Sequence, residues 1–329
     1  MYILGIETSC DETAAAIVEN GNKVLSNVIA TSVDMHAKTG GVVPEVAARE
    51  HIRQITPVID HAVEESGLNW SNIDAIAVTE KPGLISSLLI GINTAQALSY
   101  IYKKPLILVN HIVGHIYANF LEREDEPQFP IITLTVSGGH NELVLLKGHN
   151  DFEIIGETLD DAAGEAFDKV ARMLDLGFPG GPVIAKSAEK GDLKAFNFPR
   201  AHLDKSNKYN FSFSGLKTAV KTQIHKSGIA RPCRFGRVNH KLEVIADISA
   251  SFQMAVVDVL SDKLINAAEE FGAKEVHLAG GVSANQLLRS EVTKRLDGKI
   301  PLYFPKDLIY CTDNAAMIAG AGYYLHKKI

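Results

Sequence analysis

Two stretches of the chain pass through apolar and polar positions in the same order. From Tyr2 to Ala30, YILGIETSCDETAAAIVENGNKVLSNVIA runs through an apolar strand, a small polar turn, a second apolar run, a Gly-Asn turn and a third β-prone run. From Pro130 to Glu157, PIITLTVSGGHNELVLLKGHNDFEIIGE repeats that order with SGGHN and KGHN as its turns. Short apolar runs closed by Gly/Asn turns predict β-meanders. One meander near the start and another near the middle predict two similar lobes facing each other. Between and after them the period changes. EVAAREHIRQITPVIDHAVEESG, LIGINTAQALSYIYKK and DISASFQMAVVDVLSDKLINAAEEFG carry helical spacing, and the strands IDAIAVTE, PLILV and EVHLAG follow them. The class expected is α/β with two lobes.

The length of 329 residues fits two lobes better than one core, and 46% hydrophobic with 22% charged residues is ordinary globular composition. A formal net charge of −6 disfavours gripping nucleic acid with the whole surface. One segment reverses that sign. From Lys205 to Leu242 there is no Asp or Glu, while Lys205, Lys208, Lys217, Lys221, Lys226, Arg231, Arg234, Arg237 and Lys241 fall inside it. Tyr209, Phe211, Phe213 and Phe235 interleave with these cations, a mixture suited to phosphate contact and base stacking. A plain basic surface loop over an ordinary core would read the same way. Three scattered cysteines, Cys10, Cys233 and Cys311, make neither a disulfide framework nor a four-thiolate zinc site and point to a reducing compartment. With no signal-like start and no uninterrupted apolar run of bilayer length, the expectation is a cytoplasmic protein without membrane contact.

Candidate chemistry starts with VNHIVGHIYANF. His111 and His115 stand four residues apart, which puts both imidazoles on one helical face, with Asn110 placed to cap that helix. Such a pair grips one metal ion when a carboxylate from elsewhere completes the set. Ile112 follows the first histidine where metalloproteases place their glutamate base, so hydrolysis by that route lacks its base. Two histidines satisfied by backbone carbonyls are the structural alternative. VSGGHN (Val136 to Asn141), FPGGP and LAGGVSAN supply three Gly pairs, two of them directly after strands, and describe a cleft lined with backbone donors that suits a nucleotide. Neither a P-loop nor a dinucleotide fingerprint is present. Asp11 and Glu12 sit at the first turn, and Asp160, Asp161, Glu165 and Asp168 near the second meander; beside a phosphate cradle such carboxylates hold metal, bind ribose or act as bases.

Taken together, two meander-bearing lobes with a nucleotide cleft resemble the actin-like ATPase and sugar kinase superfamily, with its duplicated ribonuclease-H-like core. Within it, GIETSCDETAAAIV, GGVVPEVAAREH, NHIVGHI, VSGGHNEL, GEAFDKVARMLDLGFPGGP, FSFSGLKTAV, LAGGVSANQLLR and CTDNAAMIA resemble, in order and over nearly the whole chain, the bacterial branch of the tRNA threonylcarbamoyladenosine transferases. That resemblance implies an acyltransferase. It would move a threonylcarbamoyl group from threonylcarbamoyl-AMP to the exocyclic amine of the adenosine 3′ of the anticodon, in tRNAs reading codons that begin with A.

The resemblance also implies one divalent metal, Fe(II) or Zn(II), held by His111, His115 and Asp313, with Asp313 opening the last helix. The adenylate, or ATP or AMP, would lie against Val136, Ser137, Gly138, Gly139, His140, Asp168, Gly181 and Asn285. Asp11 or Glu12 would assist proton removal. Implied partners are tRNA through Lys205 to Lys241, the paralogue TsaB, the ATPase TsaE and a TsaC-type synthase that supplies the adenylate. The lobes expected are 1–109, with helix 313–329 packing back on it, and 110–312, with a basic insertion at about 205–242. Lys81, Ser86 and Gln96 depart from the usual residues on the first-lobe helix that pairs with the paralogue, and Ala185 stands where some members carry an Asp for the ribose. An actin-like small-molecule kinase, a metallopeptidase and a non-catalytic tRNA scaffold are the competing readings.

Overall fold

The computed structural model describes residues 1–37, 41–201, 203–229 and 238–326. In chain order, the first stretch contains β1 (Tyr2–Glu7), β2 (Glu12–Glu19), β3 (Lys23–Thr31), α1 (Val33–Ala37), α2 (Pro44–Glu65), β4 (Ala75–Lys81), α3 (Ile85–Tyr102), β5 (Leu106–Asn110) and α4 (His111–Tyr117). The second contains β6 (Ile131–Val136), β7 (Asn141–Gly148), β8 (Asp151–Glu157), α5 (Ala163–Met173), α6 (Gly180–Ala188), α7 (Ser214–Lys226), α8 (Val238–Glu270), β9 (Glu275–Ala279), α9 (Gln286–Leu296) and β10 (Leu302–Tyr303). The chain then closes with α10 (Ala315–His326).

Two compact units result: Met1–Pro127 with Tyr303–Ile329, and Gln128–Leu302. These boundaries differ from 109/110 and 312/313 because α4 packs against α10, which keeps the histidine helix in the first unit.

Each unit has its own five-stranded sheet, in the order β3-β2-β1-β4-β5 and β10-β9-β6-β7-β8. In both, the first strand of the meander pairs antiparallel with the second and the second with the third, while the first also pairs parallel with a strand that arrives after a helical crossover. The meanders read from the alternation are thus the antiparallel halves of two like sheets.

Strand alternation decides which chemistry each face carries. In the first unit Leu4, Ile6, Ile76 and Val78 point to one side and pack with Ile55, Val58 and Ile59 of α2 and Ala95 of α3. Ile3, Gly5 and Ala77 point to the other, against α10: a Cβ on Gly5 would stand 2.2 Å from the Ala315 carbonyl oxygen, and one on Gly322 2.6 Å from Ala77 Cβ. Glu7 and Thr79 share that second parity, so the sheet delivers a carboxylate and a hydroxyl to the α10 side. In the second unit the core joins Ile132, Leu134, Leu143 and Leu145 to Phe167, Phe252, Leu260 and Leu288. Among the described residues one helical stretch, Lys241–Glu270, is long and apolar enough to cross a membrane, but 78% of its most apolar window is buried.

Candidate metal centre and glycine turn

The first candidate site lies wholly in the first unit. Asn110 accepts from the N–H groups of Ile112 and Val113, at 2.9 and 3.3 Å, so β5 turns directly into α4. One turn of helix then stacks His111 and His115 with ring centroids 4.7 Å apart, both buried. Asp313 comes to both: its Oδ1 lies 3.4 Å from His111 Nε2 and 3.2 Å from His115 Nε2. The three side chains each present a ligand atom within 4.8 Å of the others. Asp313 does not open the last helix as expected. That helix starts at Ala315 and is capped by Asn314, whose Oδ1 accepts from Met317 N–H at 3.0 Å. Asp313 sits just outside it, directed at the imidazoles.

The residues present fit a divalent ion. His115 is buried and neither ring nitrogen makes a hydrogen bond, a costly arrangement for a polar group unless something else occupies its lone pair. Two imidazoles and one carboxylate suit Fe(II) or Zn(II) and leave coordination positions for substrate. His111 is held differently. Its Nδ1 lies 3.1 Å from Glu7 Oε2, and Glu7 also accepts from the Thr79 hydroxyl at 2.6 Å and from Ser9 N–H. Burial works against a charge on His111, but the Asp313 and Glu7 carboxylates outweigh it and bring the imidazole up to about 9.

The turn with Asp11 and Glu12 is packed from several directions. His51 donates to the Cys10 carbonyl at 3.1 Å and accepts from the Thr13 hydroxyl at 2.8 Å. Ser32 donates to the Asp11 carbonyl at 2.8 Å, and Leu84 N–H to the Ser9 carbonyl at 2.8 Å. Glu12 opens β2 and accepts from Thr31 Oγ1 at 3.3 Å. Burial, then the Asp313 and Asp11 carboxylates, push its carboxyl up to about 10. Burial first and the neighbouring carboxylates second also raise the Cys10 thiol.

The second candidate site lies in the second unit, at the ends of β6 and β9. Ser137 N–H donates to the His140 carbonyl at 2.9 Å and Ser137 Oγ accepts from His140 N–H at 3.2 Å, closing the turn from Val136 to Asn141. Gly138 and Gly139 have no left-handed φ, and a Cβ on either would meet nothing within 4 Å. Nothing in the described fold requires glycine there. The glycines around the turn are different. A Cβ on Gly164 would stand 2.4 Å from the Ser137 carbonyl oxygen, and one on Gly280, at φ +80°, 2.5 Å from that of Val136. They let the start of α5 and the end of β9 close on the turn.

Asp168 and Asn285 have structural partners. Asp168 accepts from Gly180 N–H at 2.7 Å, and burial, only partly offset by that bond, raises its carboxyl. Asn285 caps α9 by accepting from Leu288 N–H at 3.1 Å and donates to Gln253 Oε1 at 2.9 Å. Gly181 is open in the same sense as Gly138 and Gly139.

A family model described as TsaD, tRNA N6-adenosine threonylcarbamoyltransferase, matches residues 23–320. The chain belongs to that family. A tRNA N6-adenosine threonylcarbamoyltransferase of Thermomicrobium roseum is 54% identical over 100% of this chain and 93% of its own length, and one of Bacillus subtilis is 54% identical over 100% and 91%. Among solved structures, component A of the (R)-2-hydroxyglutaryl-CoA dehydratase of Acidaminococcus fermentans matches at TM-score 0.52 and 16% identity over 99% of both chains. Full-length HypF in a phosphate- and nucleotide-bound form matches at 0.63 and 14% over 100% of this chain and 46% of its own. These likenesses and the two five-stranded sheets place the chain in the actin-like ATPase fold class.

The transferase family was readable from the motifs, but part of the basic segment was misread. Tyr209, Phe211 and Phe213 are core residues, 8%, 0% and 0% exposed, and have no free ring face for a base. Lys208 pairs with Glu270 and Lys217 with Asp161, carboxylates from outside the segment. Lys221 and Lys226 remain exposed on α7, while Arg231, Arg234, Phe235 and Arg237 lie outside the described residues. Glu7, Ser9 and Thr79 were missed. Their signal was the parity of β1 and β4, which becomes informative only once α10 is known to cover that face.

Proposed function

We propose that the chain transfers a threonylcarbamoyl group from threonylcarbamoyl-AMP to N6 of the adenosine 3′ of the anticodon in tRNAs that read A-starting codons. The observation that carries this reading is the approach of Asp313 to His111 and His115, in a chain that matches the transferase family over almost its whole length. An actin-like kinase leaves that trio without a task, and a metallopeptidase would lack the base absent at Ile112.

His111, His115 and Asp313 are assigned as the ligands of one divalent ion, Fe(II) or Zn(II). When bound, that ion supplies Lewis acidity toward the carbamoyl carbonyl and orients it. The adenine amine is a weak nucleophile because its lone pair is delocalised into the ring, so accurate placement of donor and acceptor carries much of the acceleration. Val136, Ser137, Gly138, Gly139 and His140, with Asp168, Gly181 and Asn285, are assigned to the adenylate. Open backbone at Gly138 and Gly139 and the neighbouring N-terminus of α5 suit the phosphate that leaves with AMP. Proton removal from the attacking amine is assigned to Asp11 or Glu12; Glu12, whose carboxyl is raised to about 10, can take that proton only in its ionised form, and unchanged single-turnover transfer in Glu12→Ala would remove it from that role.

The same reading gives tRNA as acceptor, held in part by Lys221 and Lys226, and TsaB, TsaE and a TsaC-type synthase as partners. Ile85, Leu89, Tyr100 and Ile101, exposed on α3, support pairing of that helix with the paralogue. The test is transfer of labelled threonine to unmodified tRNA with the synthase, ATP, bicarbonate and helper proteins present, in wild type and His111→Ala. Label that appears on tRNA with wild type and not with the folded variant is expected. No label with wild type and active helpers would return the chain to the kinase or scaffold reading.

A further inference from the structure

Glu7 is fully buried, at 0% exposure, and its carboxylate has three donors: the Ser9 N–H on Oε1, and the Thr79 hydroxyl and His111 Nδ1 on Oε2. No Lys or Arg pairs with it in the described structure. A buried carboxylate is expensive unless its lone pairs are used, so its place here calls for a role. His111 has two ring nitrogens. Glu7, an acceptor, faces Nδ1; Asp313 faces Nε2. The neighbouring His115 has no hydrogen bond at Nδ1. The two histidines of the centre therefore differ in kind, one strapped from behind and one not.

We infer that Glu7 is the positioning residue of the metal centre: it holds the proton of His111 on Nδ1, aims the Nε2 lone pair at the ion, and is itself clamped by Thr79 and Ser9. A carboxylate behind a metal-bound imidazole fixes tautomer and ring orientation and raises ligand basicity. The arrangement has a second consequence. Ser9 N–H shares the Glu7 carboxylate and Ser9 Oγ lies 3.2 Å from His111 Nδ1, so the turn that leads to Asp11 and Glu12 is tied to the same imidazole. Displacement of His111 moves that turn, and a correctly loaded centre holds it.

The inference rests on the metal reading above, and its test separates the two. Zn(II) affinity is measured by chelator competition on the full chain for wild type, Glu7→Gln, Thr79→Val and, as a control in the same unit, Thr13→Val. Glutamine keeps the volume of Glu7 but has one acceptor oxygen for three donors, so either Ser9 N–H or His111 Nδ1–H loses its partner. The dissociation constant is expected to rise roughly 10–100-fold in Glu7→Gln. Thr79→Val should give a smaller rise in the same direction, and Thr13→Val, which breaks the bond to His51, no change. The imidazole N–H proton resonance of His111 should shift in the first two variants and stay in the third.

Zn(II) binding by a folded Glu7→Gln within twofold of wild type overturns the inference while leaving the centre intact. If Glu7→Gln does not fold, Thr79→Val decides: an unchanged constant and an unchanged His111 resonance overturn it. A wild type that binds no Zn(II) overturns the centre itself and this inference with it.

Discussion

The turn that closes β1 on β2 and the turn that closes β6 on β7 occupy the same place in two sheets of matching order, but they are built from opposite materials. In the first unit, Thr8 and Ser9 are buried and Cys10 and Asp11 partly so. Cβ atoms on Gly83 and Gly91 would come within 2.7 and 2.3 Å of Ser9 and Thr8, and the carbonyls of Ser9, Cys10 and Asp11 accept from Leu84, His51 and Ser32. In the second unit, Gly138 and Gly139 meet nothing where a side chain would be. One copy of the hairpin uses its turn to fix buried side chains, Glu7 foremost; the other leaves its turn bare at both glycines. Duplication of a fold thus constrains the path of the chain and leaves free which atoms face a ligand.

That contrast predicts different failures. The largest effect is expected from breaking the side-chain site: His115→Ala or Asp313→Ala should lose more metal affinity than the roughly 10–100-fold of an outer partner, with transfer to tRNA lost in parallel, measured by metal content after dialysis and by labelled-threonine transfer. A variant that keeps its metal would show that the trio is not the ligand set.

Next come the glycines of the second unit, which should split into two groups. Gly164→Ala pushes a Cβ into the Ser137 carbonyl and is expected to lower stability by about 1–3 kcal/mol in denaturant unfolding. Gly138→Ala has open space and is expected to change stability by no more than about 0.5 kcal/mol while weakening AMP binding in calorimetry. Equal stability losses at both positions would erase the distinction between packing glycine and ligand glycine.

A smaller effect is expected at Asp160. It accepts from Ser212 Oγ, Ser214 Oγ and the N–H groups of Phe213 and Ser214, and so holds the start of α7. Asp160→Asn should cost about 0.5–2 kcal/mol, as a lost helix cap does. Burial alone would raise this carboxyl, but those four bonds outweigh it and hold it below the usual range. A folded pKa below the unfolded one gives stability that is present above about pH 4 and lost as pH falls through the folded value. The stability gap between wild type and Asp160→Asn should therefore close on acidification below about pH 4; a gap that persists would assign the effect to packing. Because the site lies apart from the metal trio in sequence and unit, metal affinity should not change.

Much of this was open to inspection along the chain. Both meanders are visible as runs closed by Gly/Asn turns, since strand alternation is a property of neighbours. The imidazole pair is visible because one helical turn separates His111 from His115. Tyr209, Phe211 and Phe213 were misjudged for the complementary reason: aromatics among cations look alike whether they face solvent or a core, and α8, which contributes to the same core cluster, arrives later in the chain. Local spacing has no access to such contacts.

By itself the sequence determined the order of strands and helices, the two like halves, the one-turn histidine pair and the transferase family, because each is written in short-range pattern or in motif order. Only the tertiary structure decided that Glu7 stands behind His111, that Asn314 rather than Asp313 caps α10, and that Gly164 serves packing while Gly138 stays open. Those outcomes depend on where α10, α5 and the end of β9 come to rest. A residue's neighbours across a sheet or under a helix are set by burial of surface from distant segments, and no periodicity along the chain encodes them.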